Sequence, residues 1–205
     1  LRDMLEIGAS PLREALSRLT SEGLVVLEGQ RGFRVAPISL DELKDVSRIR
    51  KLLEGEAVRI AIQNGDEAWE AAIVSAFYRL EKAETRMAGG EADFTEWEKR
   101  NREFHDAIVS AANSPWLQRL RSLVYDQHER YRRLSKRQMG RLRDVQREHR
   151  EILDAVLARD VEAAVEASCR HIDNTVTGLV KLYADRETAG FGVGENSKMA
   201  GLIKA

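Results

Sequence analysis

The chain has 205 residues, of which 43% are hydrophobic, 33% charged and 6% aromatic, the make-up of an ordered helical protein of one or two domains rather than a disordered one. No run approaches the roughly 18 apolar residues of a membrane span, no signal peptide can be read, and the single Cys169 excludes an intramolecular disulfide and suits a reducing cytoplasm. A net charge of −1 offers no global attraction to nucleic acid, so DNA contact would have to come from arginines gathered on one face and doubled in a dimer.

The sequence opens inside a motif, without an initiator Met, and reads as a piece of a longer chain. Leu1, Met4 and Leu5 look like the end of a helix. Gly8 permits a corner, Ser10 is placed to cap a second helix, and Pro11 falls at its first position, where a missing N–H costs nothing. Leu12, Ala15, Leu16 and Leu19 form one apolar stripe, which leaves Arg13, Glu14, Ser17 and Arg18 on the other face. Gly23 can stop the helix in a left-handed conformation. Leu24–Leu27 and Phe33–Ala36 flank Glu28-Gly29-Gln30-Arg31-Gly32, the pattern of a β-hairpin. Two helices and a hairpin over residues 1–36 predict a winged helix-turn-helix truncated at its start. By pattern alone, any capped helix beside a hairpin would read the same way.

Pro37-Ile38-Ser39 marks a linker, with Ser39 able to cap the next helix. From Leu40 to about Arg186 only helical periodicity is found, in segments Leu40–Asn64, Glu67–Met87, Asp93–Ala112, a helix starting near Trp116 and running through Leu117–Leu134, Arg141–Leu157 and Val161–Tyr183. Six helices with short connections predict an antiparallel all-α bundle. Residues 187–205, rich in Gly, Ser and Lys, are expected to form a disordered tail.

Three of the four histidines sit on apolar helix faces. Asn101 and His105 are one turn apart among Phe104, Ala107 and Ile108; His149 lies in line with Val145, Ile152 and Val156; His171 lies in line with Ala164, Ala167 and Thr175. Three imidazoles and an amide oxygen aimed into a bundle can hold a divalent transition metal. A lone histidine on an apolar face is more often a hydrogen-bonded core residue than a ligand, and on spacing alone that reading stands beside the metal one. His128 has no partner pattern and reads as surface. The basic run from Arg130 to Arg150 reads as a solvated helix face, and Trp69, Trp97 and Trp116 read as packing residues.

Residues 1–36 resemble the DNA-reading module of GntR-type bacterial regulators. The matches are Ile7, Pro11–Leu16, Leu19, Gly23 and Leu24, with Gly8 and Ala9 at positions where that family carries Ser and Arg. The resemblance implies operator DNA as partner, with Ser10, Arg13 and Ser17 on the reading helix and Arg31-Gly32 at the wing tip. Residues 40–186 are similar to the FCD effector domain of the FadR branch, with six helices as in its VanR-like form. That resemblance implies a homodimer and a metal, Zn or Ni foremost, on Asn101, His105, His149 and His171, with Asn101 in place of the usual Asp. It also implies a small carboxylate effector that completes the metal's coordination. Arg50, in Arg50-Lys51-Leu52-Leu53-Glu54, matches the family's Arg-x-x-Leu-Glu and becomes the candidate for the effector's carboxylate; a salt bridge is the alternative role. The stretch Gly8–Ser17 resembles CsiR-like regulators, which implies a dicarboxylate. The sequence is thus identified as a cytoplasmic, ligand-responsive repressor. Its rival, a metalloenzyme using the His cluster to activate water, lacks a general base beside the ligands and leaves residues 1–36 unexplained.

Overall fold

The computed structural model describes residues 6–29, 32–89, 93–134 and 144–188. They fall into two units, one holding the described residues up to Glu42 together with residues 182–188, the other the described residues of Leu43–Lys181. Leu1–Leu5, Arg31 and residues 189–205 lie outside the described residues, and with them the expected first helix and nearly all of the expected tail.

Helix α1 (Ala9–Ser21) begins two residues earlier than its sequence suggests. Extended Gly8 occupies the cap position and no side chain caps the helix, so Ser10 is a first-turn residue and Pro11 the third helical one. Proline is still tolerated there, because the first-turn N–H groups lack intrahelical partners in any case. Leu12 and Leu16 are buried and Leu19 is partly buried, whereas Ala15 faces solvent, which narrows the predicted stripe. The helix ends as a Schellman motif: Gly23 has φ +72°, its N–H donates to Thr20 O, and Leu24 N–H donates to Leu19 O at 3.0 Å. The following strands, β1 (Val25–Leu27) and β2 (Phe33–Val35), pair antiparallel with Val25 opposite Val35 and Leu27 opposite Phe33. Val25 and Phe33 close over Leu12 and Leu16 to complete this small core.

Six α-helices follow among the described residues: α2 (Leu40–Asn64), α3 (Glu67–Ala88), α4 (Phe94–Val109), α5 (Pro115–Leu134), α6 (Val145–Leu157) and α7 (Val161–Thr188). A 3-10 turn, Ser110–Ala112, takes the end of what sequence reads as the third of these. Each start is written in the sequence as a short oxygen-bearing side chain. Ser39, Asp66, Asp93, Ser114, Asp144 and Asp160 accept from the N–H of Glu42, Trp69, Thr95, Leu117, Arg147 and Ala163 respectively. Pro115 takes the first helical position of α5. Helix α7 runs through Thr188, so residues 187–188, placed in the tail by sequence, are helical.

The bundle core is built from apolar faces that include Ala57 and Val58 of α2, Ile73 and Phe77 of α3, Phe104 and Ile108 of α4, Ile152 and Val156 of α6, and Ala164 of α7. Trp69 and Trp97 pack in this core, but Trp116 is 69% exposed, contrary to its reading as a packing residue. The α6–α7 corner is held by Arg159 in a left-handed conformation, φ +54°. Its guanidinium donates to Ile62 O at 3.0 Å, to Gly65 O at 2.9 Å and to the Glu70 carboxylate at 2.7 Å.

Gly65 sits against the Trp69 ring, where an added Cβ would lie 2.1 Å from Cε3. That indole cannot retreat freely, because its Nε1–H donates to Ile108 O at 3.0 Å. Gly65→Ala should therefore destabilise the bundle by about 1–3 kcal/mol, the usual cost of overpacking, measured as a lowered urea midpoint at unchanged slope.

Candidate metal and anion site

Helix α4 presents Asn101 and His105 one turn apart, α6 presents His149 and α7 presents His171, and all four side chains are buried. The structure brings the three rings together. Their centroids are 5.4 Å apart for His105–His149, 5.1 Å for His105–His171 and 4.7 Å for His149–His171. One ligand atom from each lies within 4.8 Å of the other two, close enough for a single ion to be shared.

Carboxylates behind two of the rings set their orientation. His149 Nδ1 is 2.7 Å from Glu84 Oε1, and His171 Nδ1 is 2.9 Å from Glu148 Oε2, whose other oxygen accepts from Asn174. An imidazole that gives Nδ1–H to a carboxylate keeps its Nε2 lone pair for an ion, the arrangement that tunes histidine ligands in metal sites. Among the described residues His105 Nε2, His149 Nε2 and Asn101 Oδ1 are buried without a hydrogen-bond partner. Buried acceptors of this kind need a partner, and nitrogen with amide oxygen suits a borderline cation such as Zn²⁺ or Ni²⁺. The residues therefore fit a metal. Burial, with His171, His149 and Arg50 nearby, holds the His105 pKa well below the usual histidine value, so its ring stays neutral and ready to ligate.

Beside the imidazoles lies a buried arginine group. Arg50 is 2% exposed and its Nη1 is 2.9 Å from His128 Nδ1. Arg121 pairs with Glu54 at 2.9 Å and with Asp106 at 2.6 Å, and Arg132 pairs with Glu98 at 2.6 Å. Burial opposes the charge on both, but the Glu54 and Asp106 carboxylates around Arg121, and Tyr125 and Glu98 around Arg132, outweigh it and raise both pKa values. Arg50 has no carboxylate in hydrogen-bond contact among the described residues. Burial and the neighbouring Arg132 push its pKa down to about 10, which still leaves it cationic at neutral pH. Tyr125 forms a platform, with the guanidiniums of Arg50, Arg102 and Arg132 lying 4.6, 4.8 and 4.9 Å from its ring centre.

Two sequence readings are corrected here. His128 is fully buried, because Arg50 and Arg132 both approach its Nδ1 at 2.9 Å. The basic run is not uniformly solvated: Arg132 is buried on Glu98, whereas Arg133 and Arg150 are exposed and residues 135–143 lie outside the described part. Sequence also missed Glu84, Glu148 and Tyr125; only the position of Glu148 beside His149 offered a local signal. In the first unit Ser10, Arg13 and Ser17 are all exposed on α1, at a spacing that puts them on one side. Gly32 has φ +95° at the hairpin.

Comparison with known proteins covers both units. Residues 1–35 match the profile of bacterial regulatory proteins of the gntR family, and residues 45–174 match the FCD domain. The chain is 41% identical to the HTH-type transcriptional regulator BphR of Paraburkholderia xenovorans, spanning 86% of this chain and 73% of that protein. It is 37% identical to the HTH-type transcriptional repressor GlaR of Escherichia coli, over 81% of this chain and 77% of that one. The structure of McbR/YncC from the same organism superposes with a TM-score of 0.74 at 25% identity, covering 89% of this chain and 84% of that one. These relatives are regulators, not enzymes.

Neutral His105 gives a pH dependence with a definite sign. In chelator-treated protein the folded ring resists a proton that the unfolded chain accepts below about pH 6.5. The unfolded state then binds more protons, so this contribution to stability is intact above that value and falls away as the pH is lowered. Urea unfolding at about pH 7.5 and about pH 5.5 should show lower stability at the acid end, by at most about 1.4 kcal/mol per pH unit from this group. His105→Gln should flatten that part of the slope.

Proposed function

The chain belongs to the GntR family of bacterial regulatory proteins and carries an FCD effector domain, and on that premise we propose that it is a metal-dependent, carboxylate-responsive repressor acting as a homodimer in the cytoplasm. One observation carries the sensing half: three imidazoles with inward acceptors stand near a buried guanidinium that has no carboxylate of its own among the described residues. His105, His149 and His171, with Asn101 Oδ1, would hold the ion. When bound, the metal supplies a docking point for a carboxylate oxygen. Glu84 and Glu148 keep two of the ligand rings in register, and Arg50 supplies the counter-charge for an organic acid. Neutral Asn101 leaves the ion without an anionic protein ligand, which favours an anionic visitor.

The DNA half rests on α1. Leu12 and Leu16 face the core while Ser10, Arg13 and Ser17 stay exposed, so one helix is anchored by one face and free on the other. Arg13 would read a base, and Arg31 with Gly32 would approach the adjacent backbone. A second copy supplies the other half-site. Trp116, Leu120 and Leu123 of α5, all exposed at helical intervals, are an apolar strip of the kind a partner covers. The effector relieves repression only by binding one arrangement of the dimer better than the other.

Gel shifts on the upstream region of the protein's own operon, with Zn²⁺ or Ni²⁺ and a panel of organic acids, test the two halves separately. Arg13→Ala should lose about 1–3 kcal/mol of specific operator affinity, with unchanged affinity counting against its role. His149→Ala should abolish bound metal by elemental analysis and the response to acid, while DNA affinity without ligand stays near that of the parent. Protein purified without chelator and found free of transition metal would remove the metal from the scheme.

A further inference from the structure

Tyr125 joins the two parts of the site. Its hydroxyl oxygen accepts a hydrogen bond from Asn101 Nδ2 at 2.8 Å, and the Arg50 guanidinium lies 4.6 Å from its ring centre. The residue is fully buried. A phenol has one proton to give as well as lone pairs to offer. Asn101 uses a lone pair, and no described residue takes the proton. A buried donor left unmatched is costly.

The identity of residue 101 decides where that proton goes. An amide turns either its oxygen or its nitrogen toward a neighbour, and a metal accepts only the oxygen. With Oδ1 on the ion, Nδ2 must face Tyr125, and Tyr125 must act as the acceptor. A carboxylate at position 101 has no N–H. It would take the tyrosine proton for itself and leave nothing to give.

We infer that Tyr125 is a specificity-determining residue, donating its hydroxyl proton to an oxygen of the bound effector, and that this donor is free because residue 101 is Asn. The acceptor is an oxygen of the carboxylate that would dock on the ion. This rests on the metal and carboxylate roles proposed above. Through Asn101 the metal and the organic acid become coupled: the ion fixes the amide, the amide fixes the phenol, and the phenol reads the acid.

The test loads the full chain with Zn²⁺ by calorimetry and then titrates acetate, malonate, succinate and citrate, in the parent, Tyr125→Phe, Asn101→Asp and the double variant. Tyr125→Phe should keep Zn²⁺ affinity within about twofold, and bind whichever acids the parent binds about 3- to 10-fold more weakly, the weight of one neutral hydrogen bond. In the Asn101→Asp background the same change should cost less than about twofold, giving a non-zero coupling between the two positions. Unchanged acid binding in Tyr125→Phe, or an equal loss in both backgrounds, would overturn the inference while leaving the site's roles intact. A parent that takes up no Zn²⁺, or that binds none of the acids when loaded, would bring down those roles and the inference with them. Should Tyr125→Phe fail to fold by circular dichroism, the near-UV tyrosine band decides. Acid should shift it in the parent and leave it unmoved in Asn101→Asp; a shift in both, or in neither, rejects the assignment.

Discussion

A cation taken out of water needs an anion within reach, and among the described residues buried Arg50 has no carboxylate in hydrogen-bond contact. Arg121 has Glu54 and Arg132 has Glu98, each in a hydrogen-bonded pair. Arg50, equally buried, has an imidazole nitrogen and the face of a tyrosine instead. Its pKa of about 10 keeps it charged near neutral pH, so the imbalance is not relieved by losing a proton. In the proposed scheme the charges of Arg121 and Arg132 are met within the bundle, whereas Arg50 would meet the charge of an organic acid that arrives from outside. The anion side of the site follows from this inequality.

The cation side shows the complementary logic. Glu84 and Glu148 stand behind His149 and His171, and burial keeps His105 neutral. The neutral His105 ring has no proton to expel before an ion binds, which weakens at that ligand the competition between protons and metal that histidine sites ordinarily face. The negative charge missing from Asn101 is found one layer further out, on those two glutamates. It would stabilise an ion at longer range while leaving the inner positions free of protein anions.

Much of the architecture was legible because it is written in local chemistry. The cap at Ser39, the stop at Gly23 and the break at Asn113-Ser114-Pro115 each act within four residues of themselves. So do the apolar rows that turn His105, His149 and His171 inward. What stayed hidden depends on distant pairing. His128 looks like a surface residue until Arg50, 78 positions away, comes to lie 2.9 Å from its ring. Arg132 looks like one more solvated charge until Glu98 meets it across the bundle. Glu84 and Tyr125 carry no periodic signal, since polar residues at isolated helix positions are ordinarily exposed. The start of α1 was misjudged for a different reason: glycine and serine are both acceptable caps, and Gly8 took the position next to the helix with no side-chain bond to advertise it.

The corner between α6 and α7 has a consequence for how this domain tolerates change. Arg159 adopts a backbone shape that glycine would take at lower strain, yet its guanidinium laces the corner to the end of α2 and the start of α3. Local grammar and long-range stitching therefore ask for different amino acids at the same place. A residue that looks like a blemish in the turn is the knot that ties four helices, and a redesign guided by turn preference alone would untie it.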